Sequence, residues 1–84
     1  MYEIILSDKA KRQLQKLSKE IRDRIGSAIE RIKIRPEAYV KRLVGVPYYS
    51  LRVGDYRVIL NIQQNKLIIF VIEIGHRKNI YKNI

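Results

Sequence analysis

The chain has no cysteine, no tryptophan and a single histidine among its 84 residues. Without cysteine it can form neither disulfides nor thiolate metal sites, and it offers no cysteine nucleophile. One histidine falls short of the ligand sets that zinc sites use, so we expect no metal and no cofactor. Small secreted domains usually depend on disulfides, and the missing cysteines therefore favour a cytoplasmic location.

Long hydrophobic runs are missing as well. The longest stretch of consecutive apolar residues, 67–72, contains six. A membrane-spanning helix needs about 20 such residues and a signal-peptide core at least about 7, so we expect no membrane segment.

A length of 84 residues predicts one domain, 1–84. An apolar content of 46% is sufficient to form its core.

Acidic residues are scarce relative to basic ones. Eighteen Lys and Arg stand against eight Asp and Glu, which gives a net charge of +10 at pH 7. Positive charges in such excess repel one another and disfavour the compact state. A polyanionic partner is the natural explanation for this excess. Nucleic acid is favoured over a membrane, since no segment is suited to membrane insertion. The alternative interpretation is a surface that is merely solubilising.

The first half of the chain predicts a strand and two helices. Residues 2–6 alternate as in a strand. Ser7 and Ser18 are each placed to cap a helix, and the second helix carries an apolar stripe that ends before Pro36. Gly26 lies inside this stripe, where we expect it to permit a close packing contact.

In the second half of the chain, side chains alternate with a period of two, as is typical of strands. After a predicted loop at 37–47, three strands follow, separated by turns at 54–55 and 63–66. The predicted fold is α+β in the order β-α-α-β-β-β. It consists of a helical hairpin packed on one face of a small, mostly antiparallel sheet. We expect the first strand at an edge, beside the last.

The turn at 54–55 predicts an unusual pair of arginines. A two-residue loop sets Val53 opposite Tyr56 and Arg52 opposite Arg57. Like charges that face each other across two strands are destabilising. The functional interpretation is an anion bound beside the pair, and the alternative is two solvated arginines on an exposed sheet.

The end of the last strand adds further polar groups. Extending the second hairpin from residue 67 sets Arg57 opposite Ile72 and brings His76 and Arg77 towards the same edge. Arginine binds phosphate bidentately, and an aromatic ring such as that of Tyr81 can stack on a base. These side chains therefore predict one anion-binding patch. Paired carboxylates, a phosphate-cradling glycine loop and a serine triad are all missing from the sequence.

Two segments resemble signatures of the RelE/ParE toxin superfamily. Residues 51–59, LRVGDYRVI, resemble its strand–turn–strand segment, and residues 71–81, VIEIGHRKNIY, resemble its closing segment. The predicted order of a short strand, a helical hairpin and three strands also resembles that of this superfamily. The resemblance therefore covers nearly the whole chain and implies a toxin of a type II toxin–antitoxin system.

RelE-like members cleave mRNA on the ribosome, without metal, by attack of a ribose 2′-OH on the adjacent phosphate. By motif position, the resemblance makes Arg57 the transition-state arginine, Arg77 the arginine near the leaving 5′-oxygen and Tyr81 the tyrosine near the 2′-OH. His76 is a further catalytic candidate, as general base. The expected RNA-binding residues are Arg52, Lys41, Arg42 and Lys78, of which Lys41 could also serve as the base.

One departure from the RelE pattern keeps a second function open. RelE enzymes often carry lysines on the strand before the turn, whereas Tyr48 and Ser50 stand near those positions here. The alternative is a ParE-like toxin that binds and poisons DNA gyrase without cleaving anything, and a third possibility is an inactive RNA-binding module. The expected partner is an acidic, RelB-like antitoxin in a hetero-oligomer, covering Ile59, Phe70 and Ile72 on the less covered sheet face.

Overall fold

The computed structural model describes residues 1–77 of the chain. Within them lie β1 (Glu3–Leu6), α1 (Asp8–Gln15), α2 (Lys19–Ile34), a short 3₁₀ turn (Pro36–Ala38), β2 (Val40–Arg42), β3 (Tyr49–Val53), β4 (Tyr56–Gln63) and β5 (Ile68–His76). The strands form one sheet in the order β1-β5-β4-β3-β2. β1 runs parallel to β5, and the other described pairs are antiparallel. The α+β prediction, with the first strand beside the last, is confirmed.

The two helices begin and end where the sequence predicts. The Ser7 hydroxyl accepts a hydrogen bond from the Ala10 N–H at 3.0 Å, and the Ser18 hydroxyl caps α2 in the same way. Arg35, which precedes Pro36, leaves the helical conformation, with φ of −146° and ψ of 79°, and ends α2. Gly26 was expected to admit a close neighbour, and this expectation is wrong. The residue is exposed, and no atom lies within 4 Å of where a Cβ would stand.

The core lies between α2 and one face of the sheet. Ile25 and Ile32, which lie on the apolar stripe of α2, have no exposed surface. Facing them are fully buried side chains of β4 and β5: Val58, Leu60, Ile69 and Val71. No helix within residues 1–77 is long and apolar enough to cross a membrane.

The predicted loop at 37–47 contains an additional strand. β2 pairs antiparallel with β3, with Lys41 opposite Ser50 and Arg42 opposite Tyr49. The element order is therefore β-α-α-β-β-β-β. Three residues are too few to display an alternating pattern, and both basic residues of β2 are exposed, so the sequence carries little signal for this edge strand.

The predicted pairing of Arg57 with Ile72 is wrong, because β4 and β5 pair in a different register. Arg57 lies opposite Gly75 instead. The turn between the strands is longer than expected, so Ile62 pairs with Ile69 rather than with residue 67. A β-bulge between Ile59 and Leu60 then adds one more residue on β5. Each residue near the end of β5 therefore pairs three positions farther from the 54–55 turn along β4 than the sequence indicates, so that Ile74 lies opposite Val58 and His76 opposite Tyr56.

Candidate functional site

The arginine pair on the β3–β4 hairpin is formed as predicted. Gly54, with φ of +59°, supplies the backbone conformation of a two-residue turn. Val53 lies opposite Tyr56 and Arg52 lies opposite Arg57. Tyr56 and Val53 pack on the core. Because side chains alternate along a strand, both arginines lie on the face of the sheet that points away from the helices.

The two arginines differ in burial. Arg57 is only 9% exposed, whereas Arg52 is exposed and its Nε donates a hydrogen bond to the Gly54 carbonyl at 3.3 Å. The pair is therefore not the two solvated side chains of the alternative interpretation. A buried guanidinium is held in place, and its field is screened less than it would be in water. Arg57 therefore differs from a freely solvated surface arginine.

Arg57 and Arg52 border a groove of about 380 Å³, which we call the strand groove. It is lined by Tyr39, Lys41, Arg42, Leu43, Val44, Ser50, Arg52 and Arg57. Four of these residues are cationic, and no described lining residue is acidic. The structure therefore brings together four of the residues that the sequence predicts for RNA contact or catalysis: Arg57, Arg52, Lys41 and Arg42.

The predicted residues at the chain end are distributed differently. His76 lies opposite Tyr56 on the helix-packed face, and the two rings meet edge to face with centroids 5.6 Å apart. The His76 side chain is therefore not brought to the face that carries Arg57. The Arg77 N–H donates to the Asp55 carbonyl at 2.8 Å, which holds its backbone beside the arginine hairpin. Lys78 and Tyr81 lie outside the described residues.

Four lining residues of the strand groove were not predicted as site residues from the sequence: Tyr39, Leu43, Val44 and Ser50. Tyr39 is 49% exposed, large and close to two cations, a combination suited to stacking on a base. An aromatic residue shortly before Lys41 and Arg42 was the available signal. Ser50 is buried in the groove wall; in the sequence it was noted only as standing near a position where a lysine was expected.

The face that carries the strand groove is less open than expected. Ile59 was expected to lie on uncovered sheet, yet it is only 3% exposed. Phe70 and Ile72 are half-buried. Glu73 forms an ion pair with Lys9 at 3.0 Å. Within residues 1–77, no three His, Asp or Glu side chains are grouped so as to hold a metal ion.

A family model and solved structures match the chain, and both matches are to toxins of toxin–antitoxin systems. A family model described as the ParE toxin of the type II toxin–antitoxin system parDE matches residues 4–81. No curated protein matches the chain.

Solved structures resemble the chain over nearly its whole length. The toxin–antitoxin complex RelBE of E. coli shares 26% identity over 90% of this chain and 96% of its own, with a TM-score of 0.78. The archaeal RelE–RelB complex from Pyrococcus horikoshii OT3 shares 25% identity over 90% and 94%, with a TM-score of 0.78. The isolated E. coli RelE toxin matches in fold, with 23% identity over 99% and 94% and a TM-score of 0.80.

Proposed function

The chain belongs to the ParE toxin family of type II toxin–antitoxin systems, and from that premise we propose that it is a toxin that cleaves mRNA on the ribosome. The observation that carries this proposal is the buried Arg57 at the wall of a cationic groove. A binding surface for a polyanion needs exposed charge, whereas a buried, fixed guanidinium suits a charge that develops during a reaction. The ribosome as site of action implies a cytoplasmic protein.

The proposed reaction is the attack of a ribose 2′-OH on the adjacent phosphate. The O2′–P bond forms and the P–O5′ bond breaks, while one proton leaves the 2′-OH and another reaches the departing 5′-oxygen. Negative charge on the phosphate oxygens increases in the transition state. Arg57 would bind those oxygens, and the neighbouring Arg52 would hold the strand.

Further roles follow the groove and the chain end. Lys41 lines the strand groove with Arg57, whereas the His76 ring contacts Tyr56 on the opposite face, so Lys41 is better placed than His76 to be the base. To accept the 2′-OH proton, Lys41 would first have to release its own. We propose Arg77 near the leaving oxygen, since its backbone is held beside the arginine hairpin. Tyr81 would orient the 2′-OH.

The remaining cations would contact RNA outside the reacting phosphate. Arg42 lines the strand groove, and Lys78 follows Arg77 in the chain. We assign both to the RNA backbone. No cofactor enters this scheme.

The proposed resting partner is an acidic, RelB-like antitoxin bound in a hetero-oligomer. The E. coli and P. horikoshii structures are toxin–antitoxin complexes. In this chain, a net charge of +10 favours an acidic partner. The half-buried Phe70 and Ile72 offer apolar surface that such a partner could cover.

The decisive experiment adds the purified toxin to translating ribosomes and maps new mRNA 5′ ends by primer extension. We expect new ends in the presence of ribosomes and none with naked mRNA. Arg57→Ala should remove them, whereas Arg22→Gln, which removes an exposed charge from α2, should not. Wild-type toxin that produces no new ends contradicts the proposal.

The second candidate function is a ParE-like gyrase poison. It is supported by the matching family model and by Tyr48 and Ser50 at positions near which RelE enzymes often carry lysines. A supercoiling assay with purified gyrase separates the two functions. Inhibition of supercoiling without mRNA cleavage would replace the endonuclease proposal with this one.

A further inference from the structure

A second groove lies between α2 and the β3–β4 turn. It encloses about 390 Å³, and we call it the helix groove. It is lined by Asp23, Arg24, Ser27, Ala28, Arg31, Arg52, Val53 and Gly54. Three of these side chains are guanidinium groups and one is a carboxylate, so the lining carries a net charge of about +2 at neutral pH.

Two of the three guanidinium groups, those of Arg24 and Arg52, lie at the turn. Arg24 and Arg31 lie seven positions apart on α2, a spacing that places them on one side of a helix. The Arg24 Nη2 lies 3.3 Å from where a Cβ would stand on Gly54. Arg52 donates its Nε to the carbonyl of the same glycine, also at 3.3 Å.

No arginine of the helix groove forms an ion pair within the described part of the chain, although Asp23 lines the groove with them. The ion pairs among residues 1–77 are Lys9 with Glu73 and Lys33 with Glu30, and neither includes an arginine of the helix groove. Like charges held close together are unfavourable without a counter-charge. The planar fork of each guanidinium matches the oxygens of a phosphate. The helix groove is therefore suited to a phosphate group.

We propose that the helix groove binds a phosphate of single-stranded RNA, on the same strand that occupies the strand groove. Arg52 is a lining residue of both grooves, so the two grooves adjoin at this residue. A strand held at Arg57 would pass Arg52 and the 54–55 turn and reach Arg24 and Arg31. The identity of the ligand rests on the proposed function, while the anion site rests on the geometry of the three arginines.

The test measures binding and does not depend on cleavage. A fluorescent single-stranded RNA of about 12 nucleotides, within the length range that single-strand binding domains cover, carries 2′-O-methyl groups and cannot be cut by 2′-OH attack. Its affinity for the full chain is measured by anisotropy over a range of salt concentrations. The site variant is Arg24→Gln/Arg31→Gln. The control is Lys19→Gln/Arg22→Gln, which removes the same charge from exposed positions of α2 outside the groove.

We expect the site variant to bind about tenfold more weakly or worse, because two charged hydrogen-bond donors are lost. The slope of log affinity against log salt should fall in magnitude by about 0.7, the contribution of one lost phosphate contact on a single strand. The control should retain the wild-type slope. Circular dichroism should show that both variants are folded.

Three outcomes overturn the inference. The first is a site variant with wild-type affinity and slope. The second is a control variant that loses as much RNA affinity as the site variant. The third is a poly-glutamate peptide that competes for binding as well as RNA of equal charge does. The last outcome would assign the groove to an acidic peptide. If RNA binds as expected but ribosomal mRNA is not cut, the proposed function fails and the phosphate site stands.

Discussion

At adjacent positions of β4, one face of the sheet buries an apolar side chain and the other buries a charged one. Val58 has no exposed surface and packs under the helices, whereas Arg57 is 9% exposed on the opposite face and borders the strand groove. Because the side-chain period of a strand is two, one strand supplies the core and the candidate site in turn. Stability and activity should therefore be separable by changes at neighbouring residues.

The largest effect is expected at Arg57. Arg57→Ala should lower the rate of mRNA cleavage on the ribosome at least about 10²-fold, which corresponds to about 2.7 kcal/mol in the barrier. Relief of the repulsion from Arg52 should offset the lost packing, so the Tm should change little.

Arg57→Lys sharpens this result, since lysine keeps the charge but lacks the bidentate fork. We expect it to recover part of the rate at most. If Arg57→Ala unfolds the protein, or cuts at the wild-type rate, Arg57 does not have the proposed role.

Val58→Ala tests the opposite face. It removes buried apolar groups from the core and should lower the free energy of unfolding by about 2 to 3 kcal/mol. In a chain of this size that corresponds to a decrease in Tm of roughly 8 to 24 °C. Thermal unfolding followed by circular dichroism measures it. The folded fraction should cleave mRNA at the wild-type rate, and a rate loss beyond the unfolded fraction would contradict the separation of the faces.

Gly54→Ala tests the turn that keeps the two arginines opposed. A Cβ at φ of +59° is strained, and Arg24 would have to move away from its 3.3 Å contact. We expect a loss of about 1 to 2 kcal/mol in stability, measured by urea unfolding. Gly54→Asn is the matched control, because asparagine tolerates this backbone conformation better. Equal losses for both variants would show that the space near Arg24, and not the backbone angle, limits this position.

The smallest effect is expected at Gly26, which touches neither face of the sheet. Gly26→Ala adds a methyl group in open space within α2 and should stabilise the protein by about 0.5 to 1 kcal/mol. An increase in Tm of roughly 2 to 8 °C with unchanged cleavage is the expected result. A decrease in Tm would mean that this exposed helix surface contacts something that the geometry does not show.

Local patterns predicted most elements of the fold. The Ser7 and Ser18 caps, the end of α2 before Pro36 and the 54–55 turn are interactions between residues close in sequence. Their signals are therefore present in short windows of the chain. The opposition of Arg52 and Arg57 follows from the same turn and was equally predictable.

The sequence by itself thus determined the elements and the arginine pair, while the tertiary structure decided how the site is composed. The register of β4 and β5 depends on a bulge and a long turn. Because of them, Arg57 lies opposite Gly75 and not opposite the predicted Ile72. The burial of Arg57 depends on its three-dimensional surroundings, and the edge strand that carries Lys41 is recognisable only by its partner β3. These features are contacts between residues distant in sequence. Many registers satisfy the same alternation of side chains, and packing selects among them.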